Sequence, residues 1–347
     1  MNAHKTEAVQ IPRMHGAGTA ENRSVNSTYT PPRWLPGGNL QTIYPRALAH
    51  NYAVHYERER WQAPDGDFID LDWVNRRHGA ASLLVLFHGL EGCSRSHYAL
   101  SSMTLAQQLG WCGVVPHFRG CSGEINRLAR AYHSGDATEL DWILRRLKSE
   151  NPNRKIYVAG VSLGGNMLLK WLGEQADGAS AIVDGAAAVS APVDLRAAAA
   201  VLDFGYRRAL YTRHFLASLR AKVLKKIESH ELDIKISAVR RCSTFRQIDD
   251  LYTAPIHNFQ NAEDYWTRAS SKPWLNRIRL PTLLLNARND PFLPASALPT
   301  TAEVSDSVTL EFPDAGGHAG FVVGPLPGSL DWLPRRLFNF FARSTQW

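Results

Sequence analysis

Short runs that are apolar throughout alternate along the chain with longer segments whose apolar residues recur at helical spacing. Leu83 to Phe87, Cys112 to Pro116, Ile156 to Ala159, Ala181 to Val189, Leu280 to Leu285 and Val308 to Phe312 are of the first kind and read as strands covered on both faces. Helical patterns lie between and after them, at about Tyr98 to Leu109, Ser134 to Ser149, Met167 to Leu172 and Leu330 to Ala342. Upstream, Tyr52 to Trp61 and Phe68 to Val74 flank the turn signal Pro64-Asp65-Gly66, and the second run alternates Ile69, Leu71 and Trp73 against Asp70 and Asp72. That spacing predicts an antiparallel pair with one face in water. Strands alternating with helices predict right-handed crossovers and a mostly parallel central sheet with helices on both faces.

Three stretches fall outside this rhythm. Residues 1–30 are polar and too weakly apolar to bury anything, so they read as a disordered tail ahead of one domain over 31–347. Pro31 to Pro45 interleaves aromatics and prolines around Gly37-Gly38, which predicts an irregular arm packed on the core through Trp34, Leu35, Ile43 and Tyr44 without chemistry of its own. From about 193 to 276 no buried strand run occurs, only amphipathic basic helices and aromatic loops. An insertion of that size between two sheet strands, on their carboxyl-end side, is suited to act as a lid over a substrate site.

The candidate chemistry centres on Lys155 to Glu174, where an apolar strand breaks at Gly160-Val161-Ser162-Leu163-Gly164 and resumes as a helix. A serine on so sharp a turn needs small neighbours, and its hydroxyl is pushed out beside the free N–H groups of a helix start. Serine is a poor nucleophile until a base takes its proton. Of the 13 histidines, His318 lies in the glycine-flexed loop Asp314 to Phe321, after the last strand and before the final helix. Asp290 follows the Leu283 to Leu285 strand; Asp194, after the strand ending near Ser190, competes with it as the acid. Ser162, Asp290 and His318 occur in the order Ser, acid, His expected of an α/β-hydrolase fold, and the backbone N–H groups of Leu90 and Leu163 are the candidate oxyanion donors.

Composition changes this picture little. The chain of 347 residues is 44% hydrophobic, long enough for one large core plus a lid. No apolar run is long enough to span a bilayer and the first thirty residues lack an apolar signal core, so a cytoplasmic protein is expected. Cys93, Cys112, Cys121 and Cys242 lack C-x-x-C spacing, and neither metal nor cofactor is indicated. The net charge of +7 is spread except for a basic region from Tyr206 to Arg246, read first as a solvated helical face and second as an attraction to anionic lipid. Nucleic acid is not an expected partner.

The segments PPRWLPGGNLQTIYP, FHGLEGCSRSHY, FRGCSGEINRLARAYHSGD, GVSLGGN, TAPIHNF, NARNDPF and GGHAGF run from Pro31 to Phe321. Together they resemble the YheT-type α/β-hydrolases, bacterial relatives of the abhydrolase-domain lipases and of yeast medium-chain ethyl ester esterases. The resemblance implies a Ser-Asp-His esterase with Ser162, Asp290 and His318 at the matching positions, acting on a monoacylglycerol or medium-chain carboxylic ester. Two other functions remain open at this stage: an acyltransferase that passes the acyl group to an alcohol, and a catalytically silent hydrolase fold used for binding.

Overall fold

The computed structural model describes residues 29–76 and 82–344. The expected tail lies outside the described residues except at its end, where Tyr29 is already buried edge-on against Phe321 and Trp332 and donates its hydroxyl to the Val322 carbonyl at 2.9 Å.

One eight-stranded sheet forms the centre, with strands β1 Glu57–Gln62, β2 Phe68–Val74, β3 Ser82–Phe87, β4 Cys112–Pro116, β5 Lys155–Val161, β6 Gly185–Val189, β7 Thr282–Leu285 and β8 Val308–Glu311. Their spatial order is β1-β2-β4-β3-β5-β6-β7-β8, antiparallel at β1-β2 and β2-β4 and parallel across the rest. The apolar runs are continuous because successive side chains enter two different cores. Leu83, Val85 and Phe87 of β3 meet the Ala137–Glu150 and Leu163–Gln175 helices on one face, while Leu84 and Leu86 meet His97–Gln108 and Trp332–Ser344 on the other.

The β1-β2 pair departs from the expectation of a wet face. Asp70 and Asp72 are buried although they alternate with apolar residues. Directly across the pair, Arg60 and Arg58 hold them in two-pronged contacts of 2.7 and 2.9 Å each, and the Arg60 guanidinium lies 3.8 Å over the Phe68 ring. Long arginine stems cover what the alternation predicts to be solvated. Asp72 also accepts from Ser94 Oγ at 2.6 Å and lies 2.9 Å from His117 Nε2, so it ties the sheet edge to loops at the strand ends.

The residues between β6 and β7 form a helical insertion whose longest members are Arg213–His230, Leu195–Leu202 and Ala262–Ala269. It has its own small core of Leu216, Val223, Ile227, Val239, Ile248 and Tyr252. Part of its basic region is internal rather than a solvated face: buried Lys226 donates to the carbonyls of Asn126 and Leu128, Lys222 pairs with Glu91 at 2.7 Å, and Arg220 donates to the Cys242 carbonyl at 3.1 Å. Lys222 and Lys226 fasten the insertion to loops that leave β3 and β4, while Arg220 joins two segments of the insertion to each other. Among the described residues no helix is long and apolar enough to cross a membrane.

Burial raises the Asp72 pKa, but hydrogen bonds from Arg58, His117 and Ser94 outweigh it and hold the carboxyl well below the usual range. A depressed folded-state pKa means that stability from the ionised group is present above about pH 4 and is lost as pH falls below it. Asp72→Asn is expected to cost about 2 kcal/mol at pH 7 in urea titrations and to flatten the acid limb of the stability profile below about pH 4.

Candidate active site

β5 delivers Ser162 to the sheet edge with φ +79°, a conformation that a residue with a side chain adopts only under constraint. The Leu163–Gln175 helix starts at once, and the turn closes through Ser162 N–H to the Val189 carbonyl at 2.9 Å. Close approach explains the flanking glycines. A Cβ at Gly164 would stand 2.6 Å from the carbonyl oxygens of Phe87 and His88, and one at Gly160 would collide with the Gly164 backbone.

The structure brings the three predicted side chains together. His318 Nε2 lies 2.9 Å from Ser162 Oγ, and His318 Nδ1 lies 2.9 and 3.1 Å from the two oxygens of Asp290. Asp290 is enclosed and accepts the Phe292 N–H at 2.8 Å, while the Phe292 ring stacks on the imidazole at 4.0 Å between centroids. The competing acid is elsewhere engaged: Asp194 caps the Leu195–Leu202 helix by accepting from Ala197 N–H at 2.9 Å.

The candidate oxyanion donors line the same cavity as Ser162. Leu163 is the first residue of its helix, so its N–H has no carbonyl one turn back. Leu90 owes its orientation to its neighbours. The Gly89 carbonyl accepts from Gly92 N–H at 3.0 Å and faces His88 Nδ1 at 2.8 Å, which sends the Leu90 N–H of the same planar peptide the opposite way. Burial pushes His88 down to about 3, keeping it neutral, and its Nε2 accepts from Phe118 N–H at 3.1 Å. Glu91 secures the end of the turn: it accepts from Tyr132 Oη and Lys222 Nζ at 2.7 Å each, and from the Ser218 hydroxyl of the insertion.

Sequence reasoning missed what holds the His318 loop. Gln41, buried in the N-terminal arm, accepts from Gly316 N–H at 2.8 Å and from Asn289 Nδ2 at 3.1 Å; Asn289 accepts from Gly317 N–H at 3.0 Å. Thr42 Oγ1 accepts from His318 N–H and Ser190 Oγ from Ala319 N–H, both at 2.9 Å. His97, pushed down to about 4 by burial and therefore neutral, donates Nε2–H to the Ala319 carbonyl at 2.9 Å. Four successive amides and one carbonyl of a glycine-rich loop are thus each held by a side chain. The arm expected to be inert packing contributes two of them. Ile43, expected to pin the arm, instead points outward at 45% exposure.

A cavity of about 800 Å³ opens over Ser162, within the range of small-molecule sites. Its far wall comes from the insertion, through Leu202, Phe215, Leu219, Ile248 and Trp266 among others. Among the described residues no group of three or more His, Cys, Asp or Glu side chains is arranged to hold a metal ion.

Comparison with known proteins agrees with this architecture. Residues 82–325 match a family model for the alpha/beta hydrolase fold. YheT of Escherichia coli (strain K12), a candidate esterase by name, is 38% identical over 322 residues, 92% of this chain and 94% of that protein. The human phospholipase ABHD3 is 28% identical over 91% of this chain and 79% of its own length. Among solved structures, the Pyrococcus furiosus esterase Pf2001 superposes with a TM-score of 0.54 at 15% identity, covering 92% of this chain and 98% of that one. At 38% identity over nearly the whole of both sequences, the protein belongs to the YheT-type branch of the α/β-hydrolases.

Proposed function

We propose that the protein is a serine carboxylic ester hydrolase acting on medium-chain esters or monoacylglycerols. The observation that carries this reading is the continuous contact Asp290–His318–Ser162, with 2.9 Å on each side of the imidazole. His318 Nε2 removes the Ser162 proton as Oγ attacks the ester carbonyl, and the Leu90 and Leu163 N–H groups hold the negative oxygen of the tetrahedral intermediate. His318 then returns the proton to the leaving alcohol, which leaves an acyl-enzyme. Water deprotonated by the same nitrogen attacks it, the proton passes to Ser162 Oγ as the acyl–oxygen bond breaks, and the acid departs. Asp290 keeps Nδ1 protonated and stabilises the imidazolium formed in each half.

The substrate class is supported by the cavity walls, which are mostly apolar, and by the relative named as a phospholipase. In this reading the insertion acts as a lid, and the ester enters beneath it. A covered acyl-enzyme also suits transfer to an alcohol in place of water. With glycerol added, free acid forming faster than new ester supports hydrolysis, and the reverse ordering supports transfer.

A fluorophosphonate probe is expected to label the wild-type protein once per chain and to leave Ser162→Ala unlabelled, with kcat on p-nitrophenyl esters reduced by roughly 10⁴-fold or more in that variant. An unlabelled, folded wild type refutes the assignment. Gln41→Ala is expected to loosen the His318 loop: kcat falls on the order of 10²-fold with KM nearly constant, because a displaced base affects the chemical step and not binding. An unchanged kcat in that variant excludes the positioning role.

A further inference from the structure

Eight large hydrophobic side chains stay exposed among the described residues, and five of them fall in two segments that touch each other. Leu40 and Ile43 project from the arm helix Gly38–Ile43, on the side opposite buried Gln41, at 51% and 45% exposure. Phe204, Tyr206 and Leu210, at 75%, 55% and 43%, lie at the start of the insertion. Asn39 joins the segments, with its Nδ2 3.4 Å from Tyr206 Oη and its Oδ1 accepting from Tyr211 Oη at 2.9 Å. Single exposed apolar residues are ordinary, whereas a joined group marks a contact surface.

Two further facts define the partner. Ile43 and Leu210 also line the cavity over Ser162, so the patch borders its mouth. Neither Pro31 to Tyr56 nor Phe204 to Ile227 contains an aspartate or glutamate, while Arg46, Arg208 and Arg213 are exposed within them. An acid-free rim of arginines around apolar tips matches the boundary of an anionic bilayer. There the rings and aliphatic tips enter the acyl region and the guanidinium groups remain among the lipid phosphates. We propose that this face docks on anionic phospholipid bilayers and sets the mouth of the cavity against the lipid. The proposal adds a surface to the ester-hydrolase reading but does not depend on catalysis.

Co-sedimentation of the full chain with phosphatidylcholine vesicles, with and without 30% phosphatidylglycerol (roughly the charge density of an anionic leaflet), tests it. The expected result is binding to the anionic vesicles that weakens at least tenfold between low and roughly physiological salt, with little binding to neutral ones. Ser162→Ala binds as the wild type does, which separates this outcome from failure of the catalytic reading. The double variant Leu40→Ser/Phe204→Ser binds at least tenfold more weakly yet hydrolyses a soluble short-chain ester at the wild-type rate, a check that it is folded. Arg208→Glu/Arg213→Glu does the same through charge alone. Absence of binding to anionic vesicles at low salt overturns the proposal, as does undiminished binding by both double variants. Self-association in the ultracentrifuge that the same variants abolish, without vesicle binding, assigns the face to a second copy of this chain and likewise overturns it.

Discussion

The placement of His318 depends on hydrogen bonds that connect the two ends of the chain. Gln41 and Gly316, and Thr42 and His318, are separated by 275 and 276 residues in sequence, yet each pair is within 2.9 Å. Such clamping is required because a loop of glycines and alanines presents almost no apolar surface for packing to hold, and its amides must find partners when buried. The loop therefore takes its shape from side chains that reach it from the arm, the residue after β6, the Asn289 turn and the His97–Gln108 helix. The imidazole geometry is a product of that shape.

The same principle governs the opposite wall of the site. The Gly89-Leu90 peptide is oriented by neutral His88, and the turn after it is fixed to the insertion by Glu91 through Lys222 and Ser218. Strain at Ser162 is balanced by the β5-β6 ladder that ends at its N–H and by the helical bond from Asn166 N–H to its carbonyl. His318, Ser162 and the Gly89-Leu90 turn follow three strands of one sheet, β8, β5 and β3. The parallel crossovers bring all three to a single edge, and the insertion leaves the sheet at that edge, after β6, before the chain crosses to the start of β7 on the opposite edge.

Much of this was legible in the residues because local pattern and position coincide. The strand, turn and helix around Ser162 are contiguous in sequence, and Asp290 and His318 each follow a recognisable apolar strand. What could not be read depends on contacts between distant segments. Nothing near Gln41 indicates that its amide serves a loop 275 residues away; the one signal was that PPRWLPGGNLQTIYP is among the segments that carry the family resemblance. Asp70 and Asp72 alternate as surface residues do, but arginines on the paired strand bury them. Lys226 sits in a basic helix like any solvated lysine, and only the docked loop at Asn126 to Leu128 makes it internal. Charge periodicity records which residues share a face; it does not record what covers that face.

In the proposed mechanism Ser162, the two backbone amides and the cavity above them form one reaction site. The most direct measurement is a crystal structure of the protein after reaction with a long-chain alkyl phosphonate, a mimic of the tetrahedral intermediate. The expected result is phosphorus bonded to Ser162 Oγ, the phosphoryl oxygen about 2.7–3.1 Å from the N–H nitrogens of Leu90 and Leu163, and the alkyl chain beneath the insertion. Phosphorus on another residue, or a phosphoryl oxygen turned away from both amides, would contradict it.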